Sequence, residues 1–194
     1  MAGTGTVCNS GFYADGLQEL FGAALISVQC DAVHTMGSLA HGALKHLPDL
    51  VGFLLAEDAQ LRCAALRALF NMTTESQPEA VRQAVTQYLP AMTSMLTDSD
   101  RDVQLVVLQM LRYQGKRTSS YQVMAVLTKI QNFCYHFECA DDFLSYDKRL
   151  HRRAMYTLAS MLPNAQISPA VYVPIIVHVL EQTELCSGFY MGSV

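Results

Sequence analysis

The stretch Leu47-Pro48-Asp49-Leu50-Val51-Gly52-Phe53-Leu54 recurs 42 residues later as Leu89-Pro90-Ala91-Met92-Thr93-Ser94-Met95-Leu96. In both copies, apolar residues stand at the first, fourth and eighth positions, which are three and four residues apart as in a helix with one buried face. Proline is well tolerated in the first turn of a helix, because its missing N–H would have no partner there. The two stretches therefore predict equivalent helices in a repeated unit.

The segments that follow these stretches repeat at the same offset. The apolar positions are Leu61, Ala64, Ala65, Ala68 and Leu69 in the first segment, and Val103, Val106, Val107, Met110 and Leu111 in the second, again 42 residues apart. Asp58 and Asp100 precede these segments, where a carboxylate can accept the unpaired N–H groups of a first helical turn. We predict that each unit continues with a second helix, capped by aspartate and buried along one face.

Weaker matches extend the pattern over most of the chain. Val173-Pro174 stands three periods beyond Leu47-Pro48, and an irregular unit with an insertion near 131–147 lies before it. The remaining predicted helices carry Leu17, Leu20, Phe21, Ala24 and Val28; Val33, Met36, Ala40 and Leu44; Val123, Val126, Leu127 and Ile130; and Met155, Leu158, Ala159 and Leu162. These patterns predict an all-α chain of about nine helices in about 4.5 units. Residues 1–194 then form one domain.

The last unit, residues 169–194, has a first helix but no second one. Its helix is apolar nearly all round, and each unit of a stacked repeat protein needs a neighbour or a polar cap to cover its apolar face. Three interpretations stay open: the tail folds back over the helix, a partner covers it, or the repeat array is truncated here. An exposed last repeat could also mediate assembly.

The repeated unit resembles the armadillo/HEAT superfamily, in which helical pairs or triplets of about 40–47 residues stack into a right-handed α-α superhelix. The resemblance implies a non-enzymatic scaffold or adaptor that binds protein partners along its inner helices, here 61–72 and 102–112. Asn71 ends its helix as does the armadillo asparagine that holds an extended peptide, and Tyr113 stands 42 residues later. The chain contains no Trp, so it lacks the groove tryptophans with which importin-like members read basic localisation peptides.

Composition excludes several classes of protein. The 194 residues are 51% hydrophobic and 15% charged, which is too apolar for disorder. Apolar runs are shorter than the roughly 18 residues of a membrane helix, so we expect no membrane span. The net charge of −4 argues against bulk attraction to nucleic acid. Scattered cysteines and the absence of a signal-like start predict a cytoplasmic or nuclear protein with reduced thiols.

The motifs of enzymes and metal sites are missing. The sequence contains no glycine-rich phosphate loop, nucleophile elbow or His-Glu-x-x-His motif. Cys134, His136 and Cys139 come closest to a metal site, but they offer three ligands within six residues, whereas zinc prefers four. We predict neither catalysis nor a cofactor, and interpret the cysteines as thiols in a packed aromatic segment.

Two further segments are candidate partner surfaces. The insertion supplies the aromatic residues Tyr135, Phe143 and Tyr146, and insertions in repeat proteins often contribute to binding. A basic segment follows it with Lys148, Arg149, Arg152 and Arg153. These cations could receive an acidic or extended peptide. In an alternative hypothesis, the chain is a nucleic-acid-associated HEAT module that uses the basic segments 112–117 and 148–153, and its binding should then weaken steeply as salt rises.

Overall fold

The computed structural model describes residues 10–74, 76–114, 148–164, 168–174 and 177. All regular secondary structure in these ranges is helical. The chain divides into two compact units, Met1–Met110 and Leu111–Val194. That residues 1–194 form a single domain stays a prediction. Within the described ranges, no helix is both long enough and apolar enough to cross a membrane.

The helices are short, and several end in a 3-10 turn. The α-helices are α1 (Ser10–Glu19), α2 (Ile26–Met36), α3 (Leu47–Gly52), α4 (Ala59–Met72), α5 (Glu79–Thr86), α6 (Leu89–Ser94), α7 (Arg101–Gln114) and α8 (Lys148–Met161). The 3-10 helices are Leu20–Gly22, Ala40–His46, Phe53–Leu55, Met95–Thr97 and Leu162–Asn164. Helix α7 crosses the division between the two units, and α8 belongs to the second.

Three junctions in the first unit have the same backbone and hydrogen bonds. In each, a 3-10 turn leads into one extended residue, with ψ angles of 145°, 146° and 147°, and then into a long helix. The fourth residue of that helix donates a side-chain hydrogen bond to the carbonyl of the extended residue. The donor and acceptor pairs are Gln29 with Ala23, Arg62 with Ala56, and Gln104 with Asp98. The chain therefore contains true structural repeats, and they begin one unit earlier than the Leu-Pro pattern.

The repeat predicted from the sequence is confirmed in the core of the first unit and the adjoining turn of α7. All ten apolar positions assigned to the second helices of the two strongest units are buried, with relative exposures between 0% and 9%. The leucine and methionine residues of the two Leu-Pro stretches are also in the core, whereas Val51 and Phe53 are half-buried and Ala91 is exposed. Both prolines lie in the first turn of their helices.

Both predicted aspartate caps are present. One carboxylate oxygen of Asp58 accepts hydrogen bonds from the N–H groups of Gln60 and Leu61, at 2.8 and 3.1 Å. Asp100 accepts the equivalent bonds from Asp102 and Val103, at 2.9 and 3.1 Å. The first junction has no such cap, because Leu25 occupies the corresponding position and is 66% exposed.

The caps lead to a first prediction. Replacing Asp58 or Asp100 with alanine is expected to lower the free energy of unfolding by about 1 kcal/mol each, because two helical N–H groups lose their acceptor. Urea denaturation followed by circular dichroism measures the change. Asp31→Ala removes an exposed carboxylate from the middle of α2 and should change stability by less than about 0.5 kcal/mol. Equal losses in all three variants would contradict a capping role.

The predicted first helix pair is wrong in its boundaries. A single helix was expected through residues 17–28, but the chain leaves the helix at Ala23–Leu25, and Ala24 is exposed. Residues 40 and 44 lie in a 3-10 helix rather than in the helix that carries Val33 and Met36. The break was missed because this junction contains no proline, glycine or capping aspartate between residues 23 and 25.

The predicted buried face of α8 is also partly wrong. Leu158 is buried as expected, but Ala159 is exposed and the fully buried neighbour is Thr157. The Thr157 hydroxyl donates to the Arg153 carbonyl at 2.9 Å, which satisfies its polar group inside the helix. A threonine can therefore occupy a core position that a purely apolar pattern assigns to a neighbouring residue.

Several predictions fall outside the described residues. They are the helix at 123–130, the insertion at 131–147 and most of the last unit. Residues 169–174 and 177 are helical, and Val171, Val173 and Val177 are 45–46% exposed.

Candidate functional site

One cavity in the first unit is a candidate binding groove. It has a volume of about 580 Å³ and is lined by one face of α2, one face of α4 and the start of α7. Cys30, Asp31 and His34 come from α2, whereas Gln60, Cys63 and Arg67 come from α4. The junction before α7 and the first turn of α7 add Asp100 and Asp102. We call this cavity the inner groove.

The inner groove is lined by equivalent positions of successive repeats. Cys30 and Cys63 are the fifth residues of α2 and α4, and His34 and Arg67 are the ninth. Because both helices start from the same junction geometry, equivalent positions present equivalent faces. The ninth residue of α7, Gln109, is likewise exposed. On α4, the groove face that carries Gln60 and Arg67 lies beside the buried stripe that the sequence pattern predicts, and Ala64 belongs to both.

The lining of the inner groove is acidic. Three carboxylates, from Asp31, Asp100 and Asp102, stand against one guanidinium from Arg67, which gives a formal charge of −2 with His34 neutral. Arg67 is exposed and forms no ion pair within the described part of the chain. Asp100 already holds two amides of α7 through one carboxylate oxygen. The carboxylates of Asp31 and Asp102 are therefore the more available acceptors.

Both thiols of the inner groove are held in their protonated form. Burial raises the pKa of Cys63 to about 11; Arg67 opposes this shift, and the nearby aspartates add to it by smaller amounts. Burial followed by Asp58 and Asp31 raises the pKa of Cys30. A thiolate is the nucleophilic form of cysteine, so these thiols are poor nucleophiles at neutral pH.

An ion pair between consecutive repeats fixes one side of the inner groove. The Nε and Nη2 atoms of Arg62 each donate to a different carboxylate oxygen of Asp98, both at 2.8 Å. The Nη1 atom donates to the carbonyls of Ala56 and Glu57, at 2.9 and 2.7 Å. The side chains are only 11% and 8% exposed. Arg62 thus ties α4 to the junction that carries Asp100, and so holds the groove residues of α4 and α7 in a fixed relation.

The ion pair also shifts the protonation of both partners. Burial raises the pKa of Asp98, but the hydrogen bonds from Arg62 and from the Asp100 amide outweigh burial and hold this pKa below its ordinary value of 3.8. The hydrogen bonds to Asp98 raise the pKa of Arg62 in turn. Both groups therefore stay charged at neutral pH.

The predicted peptide-binding residues lie in the last turns of their helices. Asn71 is half-buried near the end of α4, and its carbonyl accepts a hydrogen bond from the Thr74 hydroxyl at 2.8 Å. Tyr113 is half-buried near the end of α7. Neither residue is among those that line the inner groove. Their role in binding stays a prediction, and Tyr135, Phe143 and Tyr146 lie outside the described residues.

The predicted basic surface is only partly described. Lys148, Arg149 and Arg152 lie in the first turns of α8, but their side chains are outside the description. Arg153 is half-buried. In the same unit, the guanidinium carbon of Arg112 lies 5.6 Å from the ring centroid of Tyr156, a cation–π arrangement. At least one cation of the predicted nucleic-acid surface is therefore engaged within the chain itself.

The groove residues themselves were missed in the sequence, although the helices 61–72 and 102–112 were predicted as a binding surface; the contribution of α2 was not predicted. The available signal was the polar face of those helices, which carries His34, Gln60, Arg67 and Asp102. Among the described residues, no group of three or more His, Cys, Asp or Glu side chains is placed to hold a metal ion. Cys134, His136 and Cys139 lie outside that part of the chain.

Comparisons with known proteins support the fold and leave the function open. No protein-family model and no curated protein matches the sequence. Three crystal structures of engineered proteins from the Northeast Structural Genomics Consortium resemble the fold. The first has a TM-score of 0.58 at 19% identity over 86% of this chain and 67% of its own. The second has a TM-score of 0.56 at 19% identity over 86% and 41%, and the third 0.54 at 21% identity over 76% and 62%.

These likenesses show the fold alone. The sequence identities are too low to indicate a shared function. The chain spans between 41% and 67% of the length of these proteins. Together with the three equivalent junctions, they support an all-helical fold built from repeated units.

Proposed function

We propose that this chain is a non-enzymatic protein–protein interaction module that binds an extended segment of a partner in the inner groove. The observation that carries the proposal is the groove itself, with a volume of about 580 Å³ and exposed polar side chains from three successive long helices. Binding sites are commonly concave, within about 300–1,000 Å³, and combine apolar lining with a few oriented polar groups. The inner groove has a volume in this range, and its lining is more polar than usual, because six polar or charged residues stand beside two alanines and two cysteines.

The arrangement of the units supports the finer proposal of an armadillo/HEAT-type superhelix. The 3-10 helix Ala40–His46 followed by α3 and α4, and then α5 followed by α6 and α7, are two successive groups of three helical segments. Triplets that end in a long helix are the arrangement expected from the sequence resemblance. In such a superhelix the long helices, which carry most of the groove residues, would form the inner surface.

Two features of the inner groove support binding as its role. Arg62 and Asp98 hold its α4 and α7 residues together, and its two thiols are protonated. A pre-organised groove loses less conformational entropy when it binds an extended segment. We propose that the partner is a cytoplasmic or nuclear protein. The nucleic-acid alternative would use the basic segments 112–117 and 148–153, and no described contact favours it.

A variant in which a large side chain fills the inner groove tests the proposal. Peptides that bind the chain are first selected from a displayed library of random ten-residue segments. Gln60→Trp is then expected to weaken the binding of these peptides by about tenfold or more, because an exposed side chain at the groove becomes a large indole. Fluorescence anisotropy with labelled peptides measures the affinity, and the indole reports on folding because the chain has no other Trp.

The matched control is Gln87→Trp, since Gln87 is also exposed and does not line the inner groove. This variant should bind the peptides as the unaltered chain does. The proposal fails if no peptide is selected, or if Gln60→Trp and Gln87→Trp bind the selected peptides equally well.

A further inference from the structure

We propose that α1 is a latch that can leave the first unit while the rest of the unit stays folded. It is held by a small cluster of charged and polar side chains rather than by an apolar face. Release of α1 would uncover the 3-10 helix Ala40–His46, on which it packs. This conformational device is independent of peptide binding in the inner groove.

Few apolar side chains of α1 contribute to the core. Ala14 is the only buried residue within this helix, whereas α4 buries eight residues. Phe12 and Tyr13 are exposed, and their rings meet each other edge to face with centroids 6.2 Å apart. Because the burial of apolar surface is the main force that holds helices in a fold, α1 is attached more weakly than α4.

Charged and polar groups supply the attachment instead. One carboxylate oxygen of Asp15 accepts hydrogen bonds from the Lys45 ammonium and from Nε2 of the buried His46, the latter at 3.0 Å. Gln18, one turn further along α1, donates to a carboxylate oxygen of Asp49 in α3 at 3.1 Å. The Nδ1 atom of His46 lies 3.8 Å from the same Asp49 oxygen. These contacts join α1 to the 3-10 helix and to α3.

The charge of Asp15 is coupled to the docking of α1. The hydrogen bond from Lys45 lowers the pKa of Asp15 below its ordinary value of 3.8; burial opposes this shift, and the hydrogen bond from His46 adds to it. The docked helix therefore favours the charged carboxylate. The side chains of Asp15 and Lys45 are both about half exposed, so dissolved salt screens their attraction. The attachment of α1 should therefore weaken as the salt concentration rises.

A close backbone contact at the start of α1 provides a second means of releasing the helix. The peptide group between Ser10 and Gly11 lies against Gly42 in the 3-10 helix. A Cβ atom placed on Gly42 would lie 2.5 Å from the carbonyl carbon and oxygen of Ser10 and 2.9 Å from the nitrogen of Gly11. A side chain at residue 42 therefore pushes the start of α1 away without changing any charge.

Amide hydrogen exchange, followed by NMR, measures the release of α1 and of α4 separately. Raising the NaCl concentration from about 0.05 M to about 1 M is expected to speed exchange in α1 about threefold and to leave α4 unchanged. Asp15→Asn should speed exchange in α1 about fivefold at low salt and remove most of the salt dependence. The matched control is Glu57→Gln, which removes an exposed carboxylate from the junction before α4 and should leave α1 unchanged.

Gly42→Ala distinguishes a latch from a helix on which the whole fold depends. Exchange in α1 should rise about tenfold or more at low salt, whereas α4 should stay within about twofold of the unaltered chain. The control is Gly16→Ala in α1 itself, where an added Cβ meets no atom within 4 Å, so exchange should stay the same or slow. Three results would overturn the inference and leave the proposed function standing: equal acceleration of α1 and α4 in Gly42→Ala, exchange in α1 that responds neither to salt nor to Asp15→Asn, or no protection of α1 at low salt.

Discussion

Arg62→Met is expected to lower the free energy of unfolding by about 3–5 kcal/mol, because it leaves the Asp98 carboxylate buried without its counter-charge. The methionine keeps most of the aliphatic volume of the arginine, so the loss reports on the guanidinium. The substitution removes four hydrogen bonds, two to Asp98 and two to the carbonyls of Ala56 and Glu57. Urea denaturation followed by circular dichroism measures the change.

Arg67→Met is the matched control, because Arg67 lies on the same helix, is exposed and has no ion-pair partner among the described residues. Its effect should stay within about 0.5 kcal/mol. A double-mutant cycle with Asp98→Asn separates the pair from the carbonyl contacts, since contacting residues are expected to show non-additive losses. Additive losses from Arg62→Met and Asp98→Asn would contradict the coupling.

The ion pair between Arg62 and Asp98 also makes the stability of the fold depend on pH, and the direction of this dependence follows from the pKa shift of Asp98. The pKa of Asp98 is lower in the folded chain than its ordinary value of 3.8. The folded state therefore binds the proton less readily than the unfolded state, and the contribution of Asp98 is present above this value. It is lost as the pH falls through the lowered pKa. Asp98→Asn should flatten this part of the stability profile below about pH 4.

The sequence predicts the repeat well where the signals depend on only a few neighbouring residues. A proline in the first turn, a capping aspartate and a one-face apolar stripe each act within a few residues, so Leu47-Pro48, Asp58 and Leu61 suffice to place α3 and α4. The first junction carries none of these signals. Its extended residue is Ala23 and its cap position is Leu25, so the junction is identified by the backbone geometry and by the hydrogen bond from Gln29 to Ala23 rather than by the sequence.

For the candidate site, the sequence predicts helices but does not show which of their residues come together. Which polar residues meet in one cavity depends on how α2, α4 and the start of α7 are placed in three dimensions. Arg62 illustrates the difficulty, because its partner Asp98 lies 36 residues away and stands in a junction where the preceding repeat has Ala56. The periodic pattern compares equivalent positions and therefore cannot show a contact between non-equivalent ones.

Gly37→Ala is expected to destabilise the fold by about 3 kcal/mol, because α2 ends against the backbone of α4. A Cβ atom at Gly37 would lie 2.6 Å from the carbonyl oxygen and 2.8 Å from the Cβ atom of Ala68. These atoms belong to a fully buried part of α4, and backbone cannot move aside as the end of a flexible side chain can. The glycine is required by this close approach, since its φ of −60° is accessible to any residue.

Gly52→Ala is expected to have the opposite effect and to stabilise the fold. Gly52 ends α3, and no atom outside its own helix lies within 4 Å of a Cβ placed there. Because alanine loses less backbone entropy than glycine on folding, this variant should gain about 0.5–1 kcal/mol. Thermal and urea denaturation of the two variants compare the sites directly. If Gly37→Ala were as stable as Gly52→Ala, α2 could not pack on α4 as closely as described, and the α2 wall of the inner groove would have to lie farther from α4.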